Sequence, residues 1–328
     1  MDLTTQRLAH YAHALSLSSL HSHSLHECRL RLVDAAASAI AAYREPFCEH
    51  IRGFASRFTG PQNARLWGSG QRASLEMAAF ANGTTLRYLD FSDTYMSRNA
   101  GHPSDMIGAL VATAEAMDRS GAALTAALVV AYELYCGLCD AVALRDHGVD
   151  QATCAAVGTA AGVGRLLGLN EARLGEAISL ALAPNVHLYN VRKGTLSEWK
   201  GCAGPNGARN GVFAAMLAAE GVAGPTAVVE GEGGLFEVVG RFDWKVGERA
   251  TPRIVDTHLK LHPVCYHGQS AIDSILAMRA QLTPEDIDSI EVETYDAAFH
   301  WWRATLSAGR RLRARPPITA CRLQWLWP

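Results

Sequence analysis

Apolar side chains recur three and four residues apart through most of this chain, the spacing that lays one apolar stripe along an α-helix. It predicts helices over residues 30–42, 75–82, 106–119, 124–144, 153–167, 171–182 and 207–220. Gly, Pro and Asn punctuate them, as in Gly168-Leu169-Asn170 and Ala183-Pro184-Asn185. Many apolar positions are Ala or Gly, small enough for helices to approach closely. No convincing strand alternation precedes residue 250. The texture then changes: Thr283-Pro284-Glu285-Asp286 reads as a Thr-capped turn with Pro in first position, and residues 287–295 alternate and are β-rich. The pattern predicts a mainly α protein. An all-helical domain occupies residues 1–258, an incomplete α/β lid begins over 259–305, and a tail over 306–328 has neither period.

Composition narrows the class. Of 328 residues, 49% are apolar and 19% charged, a globular balance rather than a disordered one. Uncharged apolar-leaning stretches such as 177–191 stop at about fifteen residues, short of a bilayer span, and no signal-peptide pattern opens the chain. The eight cysteines are scattered and mostly sit in apolar surroundings, as buried thiols do in a reducing compartment. The expectation is a cytoplasmic protein without membrane partners. Net charge is −2, but the tail holds five Arg and no acid. The body then carries 25 basic against 32 acidic residues, which offers nucleic acid no basic face.

Three clusters carry candidate chemistry. In the first, Asp90, Asp93, Thr94 and His102 fall within a Gly/Pro-bounded loop, and Asp90 with His102 could form a carboxylate–imidazole pair for proton transfer. Its plainer reading is that Ser104 or Asp105 caps the following helix. The second places Lys200 on the approach to a helix, where an anion would be favoured; the alternative is a solvated surface lysine. The third gathers His258, Lys260, His262, Cys265 and His267, whose spacing fits no paired-ligand zinc pattern. Cys136 and Cys139, inside a helical run, read as core thiols, and His21, His23 and His26 as exposed residues of an N-terminal linker.

In order along the chain, the segments LDFSDT (89–94), GHPSD (101–105), GRLLGL (164–169), SEWKG (197–201), ARNGVFAAMLAAEGVAGP (208–225) and 260–269 resemble the MmgE/PrpD family, whose members include 2-methylcitrate dehydratase and cis-aconitate decarboxylase. The resemblance runs from Leu8 to Thr305. It implies an all-helical domain with an α/β lid, a homodimer, and a lyase that eliminates water from a hydroxy di- or tricarboxylate without metal or organic cofactor. Position by position it implies catalytic roles for Asp90, His102, Lys200, Lys260 and His267, and substrate binding by Thr94, Lys200 and Lys260. His102, held by Asp90, is then the acid/base, and the lysines serve carboxylates. Gln151 stands where many relatives have His, and Cys265 where the decarboxylase branch can place His. Both changes favour a dehydratase over a decarboxylase. A decarboxylase or epimerase on another small carboxylate is the alternative within the family.

The tail departs from the family. Codons chosen for residues from Ala314 onward, read two bases later, spell Glu-Thr-Ala-Asp-His-Ser-Leu-Pro, a motif of the kind the family carries after the equivalent of Thr305. The expectation is a change of reading frame close to Thr305, leaving a truncated and catalytically silent chain whose strand over 287–295 lacks a sheet partner.

Overall fold

A computed structural model describes residues 1–281 together with Thr283, residues 292–295, Ala298 and residues 319–321. The chain opens with helix α1 (Leu3–Ala14), capped by the Asp2 carboxylate on the Thr5 N–H, and α2 (Ser22–Ala42). His23 and His26 are exposed but sit on α2 rather than in a linker. Helix α3 (Pro46–Ala55) follows, with Pro46 in the first turn, where its missing N–H costs nothing. A small antiparallel hairpin, β1 (Asn63–Arg65) with β2 (Arg72–Ser74), corrects the expectation of no strand before residue 250. Strands of three residues leave no alternation to read.

The body continues through α4 (Leu75–Arg87), α5 (Ile107–Ala116), α6 (Gly121–Ala141), α7 (Ala152–Leu167), α8 (Glu171–Leu182) and α9 (Trp199–Ala219). The protein is mainly α, as the pattern predicts. Helix α7 is its axis: every residue from Ala152 to Gly164 is buried. Glycines permit the close packing around it. A side chain at Gly207 on α9 would drive into the Ala152 carbonyl, and one at Gly158 would meet the Ala131 carbonyl of α6 at 2.7 Å. Helix α6 is long and apolar enough by itself to cross a membrane, yet 78% of that stretch is buried inside the protein, which makes it a core helix. Cys136 and Cys139 lie within it, fully buried, as core thiols.

Helix α9 starts at Trp199, eight residues before its apolar period becomes legible. Pro205 hides the start, since proline cannot donate to the carbonyl four residues back. Here that carbonyl belongs to Gly201, in the first turn, where the disruption is small. After α10 (Leu235–Val239) the chain turns back onto the body. A 3₁₀ turn, Arg253–Asp256, packs against α2 and α6, and a bridge between Thr94 and His258 ties the segment to the loop after α4. Helix α11 (Gln269–Met278) follows.

Strand β3 (Val292–Thr294) pairs antiparallel with β4 (Thr319–Cys321), Val292 opposite Cys321. The strand expected to lack a sheet partner therefore has one, supplied by the tail expected to have no strand. The turn at 284–286, residues 287–291 and the rest of the tail lie outside the described residues.

Candidate active site

The loop between α4 and α5 is held by its own backbone. Asp90 follows α4 directly and adopts a left-handed conformation (φ 56°), which Asp tolerates better than most side chains. The turn points its carboxylate back at Arg87 Nη1, 2.7 Å away. On the other side Lys260 Nζ donates to the Asp90 carboxylate at 2.8 Å and to its carbonyl at 2.7 Å. Lys260 reaches this place because Thr94 and His258 exchange backbone hydrogen bonds, both 2.8 Å, two residues upstream of it. Burial works to raise the Asp90 pKa, but Arg87 and Lys260 together hold the carboxyl far below the ordinary carboxylate range. Asp90 is a permanent anion between two cations.

His102 is not held by Asp90, which corrects the expected carboxylate–imidazole pair. Its Nδ1 lies 2.8 Å from the Asp93 backbone carbonyl and 3.4 Å from Thr94 Oγ1. A carbonyl only accepts, so Nδ1 carries the proton and Nε2 keeps its lone pair. Burial, aided by the positive charges of Arg87 and Lys260, pushes the imidazole pKa well below its usual value despite the opposing Asp90. His102 is therefore neutral near pH 7, with Nε2 unbonded among the described residues.

A buried chain of polar groups backs this histidine. The His102 N–H donates to Tyr135 Oη at 2.8 Å, Tyr135 bonds to Gln151 Oε1, and Gln151 Nε2 donates to Asp105 Oδ2 at 3.2 Å. Burial lifts the Asp105 carboxyl to about 6, against the pull of Arg87, whose Nε is 3.5 Å from Asp105 Oδ1. Gly204 leaves room for this carboxylate, since any Cβ there would collide with it. The capping expectation also fails: neither Ser104 nor Asp105 caps α5, and instead the Asp93 carboxylate accepts the Ser104 N–H at 2.8 Å.

These groups open onto one cleft. Asp90, Thr94, His102, Lys200 and His267 all line it, so five of the six expected residues converge. Lys260 does not line it; its side chain is fully buried behind Asp90. Lys200 stands in the first turn of α9 without a hydrogen bond or ion pair to its ammonium among the described residues. Burial depresses its pKa, Asp90 opposes that shift, and Arg87 and Arg192 reinforce it. His267 is buried with Nδ1 on the Tyr295 hydroxyl, and burial lowers its pKa. The histidine-rich segment splits: Cys265 and His267 face the cleft, whereas His262 pairs with Asp273 at 2.7 Å and exposed His258 lies 5.3 Å from the Tyr266 ring, centre to centre.

Sequence reasoning missed Arg87, Arg192 and Arg145, which join Lys200 in the lining. Arg87 carried a signal, as the charge closing the helix LEMAAFANGTTLR. Arg192 beside Lys193 resembles an ordinary surface basic pair. The cleft thus holds four cations against two carboxylates, Asp90 and Asp150. Among the described residues no group of three or more His, Cys, Asp or Glu is placed to hold a metal ion.

The chain is 26% identical over 293 residues to the 2-methylcitrate dehydratase of Salmonella typhimurium, a match covering 81% of this chain and 59% of that protein. It is 26% identical to the mitochondrial 2-methylcitrate dehydratase of Yarrowia lipolytica, covering 90% of this chain and 61% of the relative. An alkylcitrate dehydratase of a fungal species is 28% identical, covering 90% and 64%. The chain spans about three fifths of the length of the curated relatives it matches. Those relatives carry dehydratase names, a hydro-lyase activity at the level of the family. The MmgE/PrpD N-terminal domain matches residues 6–246, most of the helical body and the whole loop that carries Asp90 and His102, and the chain belongs to the MmgE/PrpD family.

Proposed function

We propose that this protein is a hydro-lyase that removes water from a hydroxy di- or tricarboxylate such as 2-methylcitrate, with its own side chains as acid and base. The observation that carries this reading is His102: a neutral imidazole, its tautomer set by the Asp93 carbonyl, with Nε2 open in a cleft lined by four cations. Elimination needs a base for a proton on carbon next to a carboxylate, and the negative charge that develops needs cations close by. His102 Nε2 takes the proton, the carbon–hydrogen pair becomes the double bond, and the hydroxyl departs. The imidazolium so formed can return its proton to that hydroxyl, so one residue closes the proton balance. Lys200 supplies an unpaired positive charge to a carboxylate. Lys260 acts on the substrate only indirectly, by fixing Asp90. The buried free thiols of Cys28, Cys48, Cys136, Cys139, Cys154 and Cys202 suit a reducing compartment.

The test is formation of the unsaturated acid from 2-methylcitrate, followed by absorbance, with the 328-residue chain and with a version carrying the restored Glu-Thr-Ala-Asp-His-Ser-Leu-Pro frame. His102→Asn is expected to lower kcat by roughly 10²–10⁴-fold with the thermal transition in place. Absence of turnover in both proteins, or full activity of the His102→Asn variant, would overturn the reading.

A further inference from the structure

With Lys260 withdrawn behind Asp90, a polycarboxylate in this cleft meets Lys200 and must find its second cation elsewhere. Arg192 sits in the short 3₁₀ turn Tyr189–Arg192 ahead of α9 and is 6% exposed. Its Nε and one terminal nitrogen grip the Asp150 carboxylate at 2.5 and 3.1 Å. Asp150 is fully buried and locked in turn, its Oδ1 accepting the Ala152 N–H at 3.0 Å and its own N–H donating to the His187 carbonyl at 2.8 Å. A guanidinium has five N–H donors in a planar fork, and this grip occupies one edge of it. Among the described residues Nη1 makes no hydrogen bond, so the second edge, Nη1 with the remaining hydrogen of Nη2, stays open on a residue that lines the cleft.

Access makes the open edge informative. The free nitrogen is not one of the buried polar atoms left without a partner, so it is reached from the cleft, and an arginine fixed on one side has already lost the rotamer freedom a ligand would otherwise have to freeze. The edge matches a carboxylate in shape as well as charge, since a fork binds two oxygens in one plane. Lys200 differs: it offers a compact point charge with no fixed plane.

We propose that Arg192 and Lys200 form a two-point carboxylate clamp, with Arg192 taking one substrate carboxylate through its free edge, Lys200 taking another, and Asp150 acting as the positioning residue for Arg192. This deepens the dehydratase reading and rests on it for the substrate class. The clamp selects compounds with two or more carboxylates over monocarboxylates.

Tricarballylate, which has three carboxylates and no hydroxyl to lose, separates binding from reaction. Calorimetric Kd values for tricarballylate and butyrate are compared in the unmodified protein and in Arg192→Lys, Asp150→Asn and Lys200→Gln. Arg192→Lys keeps an ion pair for buried Asp150 but has no second edge, so the variant stays folded while losing the fork. It is expected to weaken tricarballylate roughly 10- to 100-fold, the range of a charged hydrogen-bonding pair, and to leave butyrate on Lys200 unaffected. Asp150→Asn is expected to weaken tricarballylate in the same selective way with the arginine still present, and Lys200→Gln to weaken both compounds. Unchanged tricarballylate binding in Arg192→Lys overturns the clamp, as does an equal loss of both compounds, which marks Arg192 as merely structural. The two readings fail separately. Selective binding without turnover of 2-methylcitrate removes the reaction and keeps the clamp, while turnover with an unmoved KM in Arg192→Lys removes the clamp and keeps the reaction.

Discussion

Two clusters of charge adjoin through the loop after α4, where Thr94 lines the cleft and its neighbour Tyr95 bonds Asp140, and their balance is opposite. Where the chain returns at Arg253–Asp256, one guanidinium meets two carboxylates of α6: Arg253 Nε bonds Asp140 Oδ2 at 2.7 Å, Nη1 bonds Glu133, and its backbone N–H bonds Glu133 Oε2 at 2.9 Å. Tyr95 donates to the other Asp140 oxygen, Oδ1, at 2.9 Å, and the Gly247 N–H shares Glu133 Oε1 with Arg253 at 3.1 Å. Arg31 closes the same junction from α2, bonding Glu27 and Thr257 Oγ1 at 2.7 Å and the Thr257 carbonyl at 2.6 Å. In the cleft, cations outnumber carboxylates, and both Lys200 and one edge of Arg192 stay open. The junction's acceptors are filled from within the fold, so it belongs to the architecture. The cleft is in surplus on one side, and an anionic ligand would complete it.

Breaking the junction gives the largest effect expected. Arg253→Ala leaves Glu133, 1% exposed, buried without its cation, and removal of one partner from such a pair costs about 3–5 kcal/mol. Chemical denaturation should show that loss. A change under 1 kcal/mol would mean the junction is no more than a surface contact.

Lys200→Ala tests the other side. No partner is orphaned when it goes, so stability should hold while KM for 2-methylcitrate rises about tenfold or more, the worth of one charged hydrogen bond. Loss of stability with KM intact would place Lys200 with Arg253, among the structural charges.

The pH dependence sharpens the contrast. The folded His102 pKa lies well below 6.5, so its base form persists as pH falls through that value. The acid limb of kcat/KM is expected below pH 6.5, and an inflection above it would show an imidazole titrating as if in water. Stability follows the same sign. The unfolded imidazole takes up its proton near 6.5 and the folded one does not, so this residue's contribution is present above 6.5 and declines as pH falls below it. The smallest effect expected is that of a chelator. Arg87, Arg192 and Lys200 around the cleft repel a divalent cation, so activity should survive EDTA. Loss of activity restored by a divalent ion would overturn that expectation.

Local pattern made the helices legible. Residues 171–182 carry an Asn cap and an apolar period that end where the helix ends, and α7 differs from its expected span by one residue. The loop carrying Asp90 and His102, and the approach carrying Lys200, were equally visible as dense polar chemistry inside an Ala-rich chain. A mainly α protein and many of the groups that face the cleft can thus be read from the chain, because helix period, caps and breaks act over a few residues. Partnership was beyond it. Lys260 reaches Asp90 across 170 positions, His102 takes its tautomer from a backbone carbonyl rather than a nearby carboxylate, and Arg192 becomes a held fork only because Asp150, 42 residues earlier, is buried beside it. These pairings come from packing, since desolvation and hydrogen-bond geometry depend on which elements lie against one another, and those contacts leave no period in the chain.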